Sequence, residues 1–90
     1  MEFEWDEAKR LANVEKHGVD FIDAPLLFGN PHLRAQARTV SGEERWLAVG
    51  TIEDVYVTVV YTLRSDAIRI ISMRRARDAE RRRHQEVFGG

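Results

Sequence analysis

Between Arg45 and Met73 the chain carries three apolar segments separated only by two short polar breaks, and this run constrains the fold more than any other feature. Arg45 to Ile52, Val55 to Leu63 and Ala67 to Met73 are rich in β-branched and aromatic residues, which predicts strands. The breaks, Glu53-Asp54 and Arg64-Ser65-Asp66, are of hairpin length, so the strands are expected to be antiparallel neighbours. In the middle segment Val55, Val57, Val59, Tyr61 and Leu63 share one face, and Tyr56, Thr58, Val60 and Thr62 the other. The first face is expected to lie fully buried under helices, with Tyr61 as core. The second is mixed, which predicts partial cover and a surface free for other work.

Around this run the remaining elements follow from local signals. Phe3 to Trp5 alternate apolar with acidic residues, as a short edge strand does. Asp6 is a good N-cap for a helix running to about Lys16, and Gly18 is its expected left-handed C-cap. Asp20 or Asp23 caps a second short helix through Leu26, Leu27 and Phe28. Pro25 fits only in that helix's first turn, which favours Asp23. His32 to Val40 reads as an irregular strand, and Asp78 as the cap of a C-terminal helix ending near Phe88. The expectation is one domain over residues 1–90, of the α+β class: two N-terminal helices, an antiparallel sheet of three to four strands and a C-terminal helix.

Composition removes several kinds of chemistry. With 43% apolar and 32% charged residues the 90-residue chain is too apolar for intrinsic disorder. The absence of cysteine excludes disulfides, thiolate metal sites and a cysteine nucleophile. No apolar run approaches the roughly 20 residues that span a bilayer. The acidic start lacks the basic-then-apolar order of a signal peptide, so the expectation is a cytoplasmic protein without a membrane partner. The net charge of -1 hides an asymmetry. Residues 1–60 hold 6 basic and 11 acidic side chains, and residues 61–90 hold 8 and 4. Twelve of the 14 basic residues are arginine, the side chain whose planar fork matches phosphate and carboxylate. Such a surface fits phosphate or nucleic acid, and it equally fits a solvated helix face paired with Asp78, Glu80 and Glu86.

Neither a phosphate loop, a nucleophile elbow nor a short metal-ligand spacing is present, and no cofactor is expected. Arginine, histidine, tyrosine and glutamate remain. They suffice for RNA cleavage without a metal. A base takes the proton of the ribose 2′-hydroxyl, which attacks the adjacent phosphate. Arginine stabilises the charge that develops, and an acid protonates the leaving oxygen. The residues permit this chemistry without pointing to it.

Five collinear blocks do point somewhere. They are Phe3-x-Trp5-Asp6-x-x-Lys9 with Asn13-x-x-Lys16-His17-Gly18-Val19-x-Phe21, then Gly42-Glu43-Glu44-Arg45-Trp46, Val59-Val60-Tyr61-Thr62, Arg69-Ile70-Ile71-Ser72-x-Arg74-Arg75-Ala76, and Glu80-Arg81. Over nearly the whole chain they resemble the BrnT toxins of bacterial type II toxin–antitoxin pairs. The resemblance implies a RelE-like fold and a ribonuclease that halts translation by cutting RNA. It also implies a BrnA-like ribbon-helix-helix antitoxin in a 2:2 complex that reaches operator DNA only through the antitoxin. Pro25, His84 and residues 30–40 depart from the family pattern.

The candidate catalytic residues are Arg74, Arg75, His17, Glu80 and His84, and the candidate RNA-binding residues are Lys16, Arg45, Arg64, Arg69, Arg77 and Arg83. Each has a plainer reading. The arginines can pair with acids, with only one of the adjacent Arg74 and Arg75 facing substrate because they alternate in a strand. His17 and Lys16 suit a helix C-terminus. Glu80 can complement a helix dipole or hold an arginine. Arg77, Arg81 and His84 have i, i+4, i+7 spacing, a stripe that also suits an antitoxin. The competing function is a non-enzymatic module that binds a DNA-binding antitoxin and takes part in operon autoregulation.

Overall fold

A computed structural model describes residues 2–89. Five strands are present: β1 (Glu2–Glu4), β2 (Leu33–Gln36), β3 (Trp46–Ile52), β4 (Val55–Arg64) and β5 (Ala67–Arg75). Three helices accompany them: α1 (Glu7–His17), α2 (Ala24–Gly29) and α3 (Asp78–Phe88), with a single 3-10 turn at Phe21–Asp23 before α2. The class is α+β, as expected. The sheet, however, has five strands in the order β1-β5-β4-β3-β2, and it is mixed. β1 pairs parallel to β5 on its outer side, Glu4 opposite Arg69, where the two side chains also form an ion pair of 2.7 Å. β5 reaches β1 only after two helices and three further strands, so no hairpin forces the pair antiparallel.

The hairpins are as short as their sequence requires. Glu53 and Asp54 join β3 to β4 with φ of 48° and 68°, the pair of left-handed residues that a type I′ turn needs. β4 and β5 are joined by Ser65 and Asp66 alone, since Arg64 already pairs with Ala67. A register shift between Val60 and Tyr61 inserts one extra residue, Ile71, into β5.

Odd-numbered β4 residues face α1 and α2. Phe21, Leu27, Val57, Val59, Ile70 and Met73 form the buried core there. Phe28 of α2 meets Tyr61 edge-on at a centroid distance of 5.1 Å. Gly50 lets α2 come close: a Cβ there would lie 3.0 Å from Leu27 Cγ and 3.1 Å from His32 Cβ. Leu63 breaks the expected pattern. It lies on the core side by alternation but is 48% exposed, because β4 runs on past the core. On the opposite face Thr58 and Thr62 are fully buried, which periodicity alone did not predict. Thr58 lies under α3, and the Thr62 hydroxyl donates to the Glu44 carbonyl at 2.7 Å.

The caps of α1 are as expected, and two other capping expectations change in detail. Asp6 caps α1, accepting from Lys9 N at 3.0 Å, and Gly18 closes it at φ 70°. Asp20 rather than Asp23 makes the next cap, accepting from Ile22 N at 3.0 Å for the 3-10 turn, and Asp23 makes no side-chain cap bond to α2. At α3 the capping position is Arg77, one residue before Asp78. The irregular stretch 32–40 holds regular pairing only over Leu33–Gln36, after which Ala37 N still bonds Arg45 O at 2.8 Å.

Among the described residues no strand pairs with the outer side of β5 beyond Arg69. Asn13 of α1 takes that place. Its Nδ2 donates to Met73 O at 2.8 Å and its Oδ1 accepts from Met73 N at 3.2 Å, so one side-chain amide mimics a strand at one residue. A polar residue buried in the middle of a helix is thereby satisfied.

Candidate functional site

The face of the sheet away from α1 and α2 is only partly covered, by α3. Register sets what it displays. Leu33, Val49, Thr58 and Arg74 form one row across four strands, and Ala35, Leu47, Val60 and Ser72 the next. Thr62 and Arg69 continue the pattern, and by alternation Arg45 and Arg64 share the same face. Sequence separation of up to 41 residues between Leu33 and Arg74 is thus collapsed into one ladder.

At one end of this face Arg74 and Glu80 form a two-point pair, Nη1–Oε1 at 2.8 Å and Nη2–Oε2 at 3.0 Å. Glu80 occupies the third position of α3, so its carboxylate also reaches back to accept the Arg77 backbone N–H at 2.8 Å. The buried Thr58 hydroxyl donates to the same Oε1 at 2.9 Å. Arg74 foremost, then the Arg77 N–H and Thr58, hold the Glu80 carboxyl at about 2 against the opposing effect of burial. Arg74 is correspondingly raised. Two of the five N–H donors of its guanidinium are taken by Glu80, and a third leans on the Arg75 carbonyl at 3.4 Å. The remaining donors are left for another acceptor, in a group whose orientation is locked.

Glu80 carries an acid signature. It stays ionised in the fold down to about pH 2, whereas its ordinary value is 4.5. The pair therefore contributes in full above pH 4.5 and is lost as the pH falls from there towards 2. Urea midpoints measured through that window are expected to fall with pH, and Glu80→Gln is expected to flatten that part of the decline. An unchanged profile in the variant would remove the pair from the stability account.

The other candidate residues are distributed as follows. Arg75, the next residue along β5, faces the helical side instead. It borders a separate cleft of about 260 Å3 shared with Asp20, Asp23 and Glu53. Arg69 pairs with Glu4, and Arg64 with Glu43 at 3.0 Å. Arg64, more than any other group, lowers the Glu43 carboxyl, with smaller help from Arg45 and Arg69. Arg45 is half-buried, and its Nε has no hydrogen-bond partner among the described residues. Arg77 contributes its backbone, while Arg83 on α3 lines a cleft against β2 and β3.

Lys16 and His17 lie at the end of α1, where with Asn13, Ile71 and Ser72 they border an open hollow of about 330 Å3. Neither hydrogen-bonds to the Arg74–Glu80 pair. His84 is 7% exposed, its ring between Tyr56 at 5.4 Å and Phe88 at 4.7 Å, with Nε2 donating to Pro31 O at 2.9 Å. It ties α3 to the segment before β2. The expected stripe is therefore divided: His84 turns into the sheet while Arg81 stays outside and pairs with Asp78 at 3.2 Å. Thr58 in the Arg74–Glu80 network, and Asn13 at the edge of β5, are the two polar residues whose roles the sequence did not single out. A lone threonine in a valine run, and an asparagine inside an amphipathic helix, were the available signals.

Among the described residues no three His, Asp or Glu side chains converge as a metal-holding group, and no helix is long and apolar enough to cross a membrane. The fold and this face define a small α+β protein with an arginine-lined, half-open sheet surface. Residues 5–80 match the family described as the ribonuclease toxin BrnT of type II toxin–antitoxin systems, and the chain belongs to that family. Membership makes it the toxin component of such a system, with a ribonuclease role and an antitoxin as counterpart. Comparison with curated proteins finds no match.

Proposed function

We propose that this protein is a metal-independent endoribonuclease that stops translation by cutting RNA at the arginine-bearing sheet face. The observation that carries the reading is the Arg74–Glu80–Thr58 array. It holds a guanidinium rigid and part-exposed at the edge of a face carrying Arg45, Arg64, Arg69 and Arg83 as well. In this reading the 2′-hydroxyl of the substrate attacks the neighbouring phosphorus, and the bond to the 5′-oxygen breaks. The free donors of Arg74 stabilise the charge on the phosphoryl oxygens, where preorganised donors act most strongly.

Glu80 serves as the holder of Arg74. A carboxylate titrating at about 2 is a weak proton acceptor near neutral pH. His84 has one nitrogen committed to Pro31 O and a ring closed in by aromatics, so it supports α3. In this reading His17 is assigned the proton transfer. It shares its hollow with Ser72, two residues before Arg74 on β5, which is about 7 Å along a strand. Lys16 beside it supplies charge for the RNA backbone. Arg45, Arg77 and Arg83 steer the strand, Arg64 and Arg69, each paired with a carboxylate, bind its backbone at contact range, and Arg75, on the opposite face, does not contact the scissile phosphate.

The same reading places the protein in the cytoplasm, with a RelE-like fold over a single domain of residues 1–90. Its partner is a BrnA-like ribbon-helix-helix antitoxin in a 2:2 complex, through which alone it meets operator DNA. Purified chain incubated with RNA in excess chelator is expected to give discrete cleavage products, and induction without antitoxin to arrest growth. Intact RNA together with normal growth would overturn the enzymatic reading. One observation favours the non-enzymatic alternative. Arg64, Arg69 and Arg74 are all paired with carboxylates, as residues serving only the fold would be. That alternative predicts that Arg74→Ala alters antitoxin pairing and leaves RNA untouched.

A further inference from the structure

Beside the Arg74–Glu80 pair the same face opens into a cleft of about 250 Å3. Its floor is aliphatic, made by Leu33, Ala35, Leu47 and Val49 of β2 and β3, and α3 supplies Ala79, Glu80 and Arg83 as its other wall. Glu80 is thus common to both features: one of its sides holds the guanidinium and the other borders the cleft. We propose that this cleft is a subsite for a single unpaired base of the RNA whose phosphate meets Arg74. The proposal rests on the reading of the Arg74 face as the RNA site and adds where the base goes and how it is read.

Three observations carry it. The first is placement. Leu33 and Val49 stand in the same cross-sheet row as Arg74, with Val49 two strands away, about 10 Å in the plane of the sheet. That separation suits a base and the phosphate of one nucleotide or its neighbour. The second is size. Drug-sized ligands occupy pockets of roughly 300–1,000 Å3, so this slightly smaller one has room for one flat ring system. The third is charge. The face sets five guanidiniums (Arg45, Arg64, Arg69, Arg74, Arg83) against four carboxylates (Glu2, Glu4, Glu43, Glu80). An apolar hollow framed by surplus positive charge fits an aromatic ring attached to an anionic chain, and single-stranded RNA is that ligand.

The lining also sets the kind of recognition. The aliphatic floor has no donors or acceptors with which to read a base edge, so it selects by shape and burial, while Glu80 is engaged by Arg74 and Arg83 on the wall serves the backbone phosphate. Any base that fits is accepted, and a missing base is penalised.

The test uses short fluorescent single-stranded RNA with 2′-O-methyl riboses, which cannot be cut, and a matching set in which one abasic residue is walked along the strand. The full-length protein is expected to bind the intact strand and to lose about tenfold in affinity when the abasic residue falls at one position. Ala79→Leu fills the cleft from an exposed helical position at little cost in helix propensity. It is expected to lose about tenfold on the intact strand and to become indifferent to the abasic position. Ala35→Leu, on the strand wall, gives a second, independent filling. Wild-type binding that ignores every abasic position overturns the subsite, as does a filled cleft that keeps the sensitivity. Base-sensitive binding of a strand whose unmodified form is never cut would uphold the subsite and defeat the cleavage reading. Cleavage without base sensitivity would do the reverse, and no binding at all would end both. Loss of antitoxin neutralisation in Ala79→Leu with RNA binding intact would assign the cleft to a protein side chain and overturn the proposal.

Discussion

Replacing Arg74 by alanine is expected to lower RNA cleavage by about 10²–10³-fold while the protein stays folded, the cost of removing one preorganised donor group from a developing oxyanion. Two opposing effects bear on that magnitude. The Glu80 carboxylate neutralises Arg74, so the pair exerts little long-range pull on RNA, and Arg45, Arg77 and Arg83 must supply the steering. At contact range the balance reverses. Glu80, gripped by Thr58 and the Arg77 N–H, holds the guanidinium in one orientation, and no ordering cost falls at the moment of reaction. Arg74→Lys keeps the charge but not the fork and should recover only a small part of the activity. Arg75→Ala is the internal control. One residue away but on the opposite face, it should change cleavage by no more than about threefold, within the range of surface substitutions. Cleavage assays on the three variants, with circular dichroism to confirm folding, check the set. Full activity in Arg74→Ala would move the site elsewhere.

The second large effect concerns stability. Asn13→Ala strips the partners from both the N–H and the C=O of Met73, and from the Val19 carbonyl that Nδ2 also approaches at 3.3 Å. Leaving buried backbone groups unpaired costs about 1–3 kcal/mol each, and water can reach a sheet edge, so a total of about 2–4 kcal/mol is expected. Alanine's better helix propensity returns less than about 0.7 kcal/mol, so loss wins. For a domain of this size the melting temperature should fall by roughly 10–30 °C. Leu11→Ala, on the same helix but 56% exposed, should stay within about 0.5 kcal/mol. Urea and thermal melts of both variants measure the difference. Equal, small losses would show that Asn13 serves only the helix surface.

Asn13 also shows where reading along the chain stops. Its position on α1 was legible from the helix signals around it, from Asp6 at one end to Gly18 at the other. Its partner, Met73, lies 60 residues away, and no local signal names the edge of β5 as the place where an amide must stand in for a strand. The same division holds at the site. Alternation along β5 was enough to put Arg74 and Arg75 on opposite faces. It was not enough to say which face is open, because that depends on where α3 lies. His84 looked like a candidate for acid–base work because histidine titrates near neutrality, and the packing of Tyr56, Phe88 and Pro31 around it gives it a structural occupation instead.

What the amino-acid order decided unaided is therefore everything governed by neighbours a few residues apart. That includes the helix caps at Asp6 and Gly18, the two hairpins, the split of β4 into an apolar and a mixed face, and the concentration of arginine in the last third. Caps, turns and strand alternation are short-range sterics and hydrogen bonding, and these are written locally. Tertiary structure alone decided the parallel return of β1, the burial of Thr58 and Thr62, the grip of Glu80 on Arg74 and the apolar cleft beside it. Each of these depends on which distant backbone or carboxylate arrives to satisfy a polar group or cover an apolar one, and that is settled only when the strands and α3 pack together.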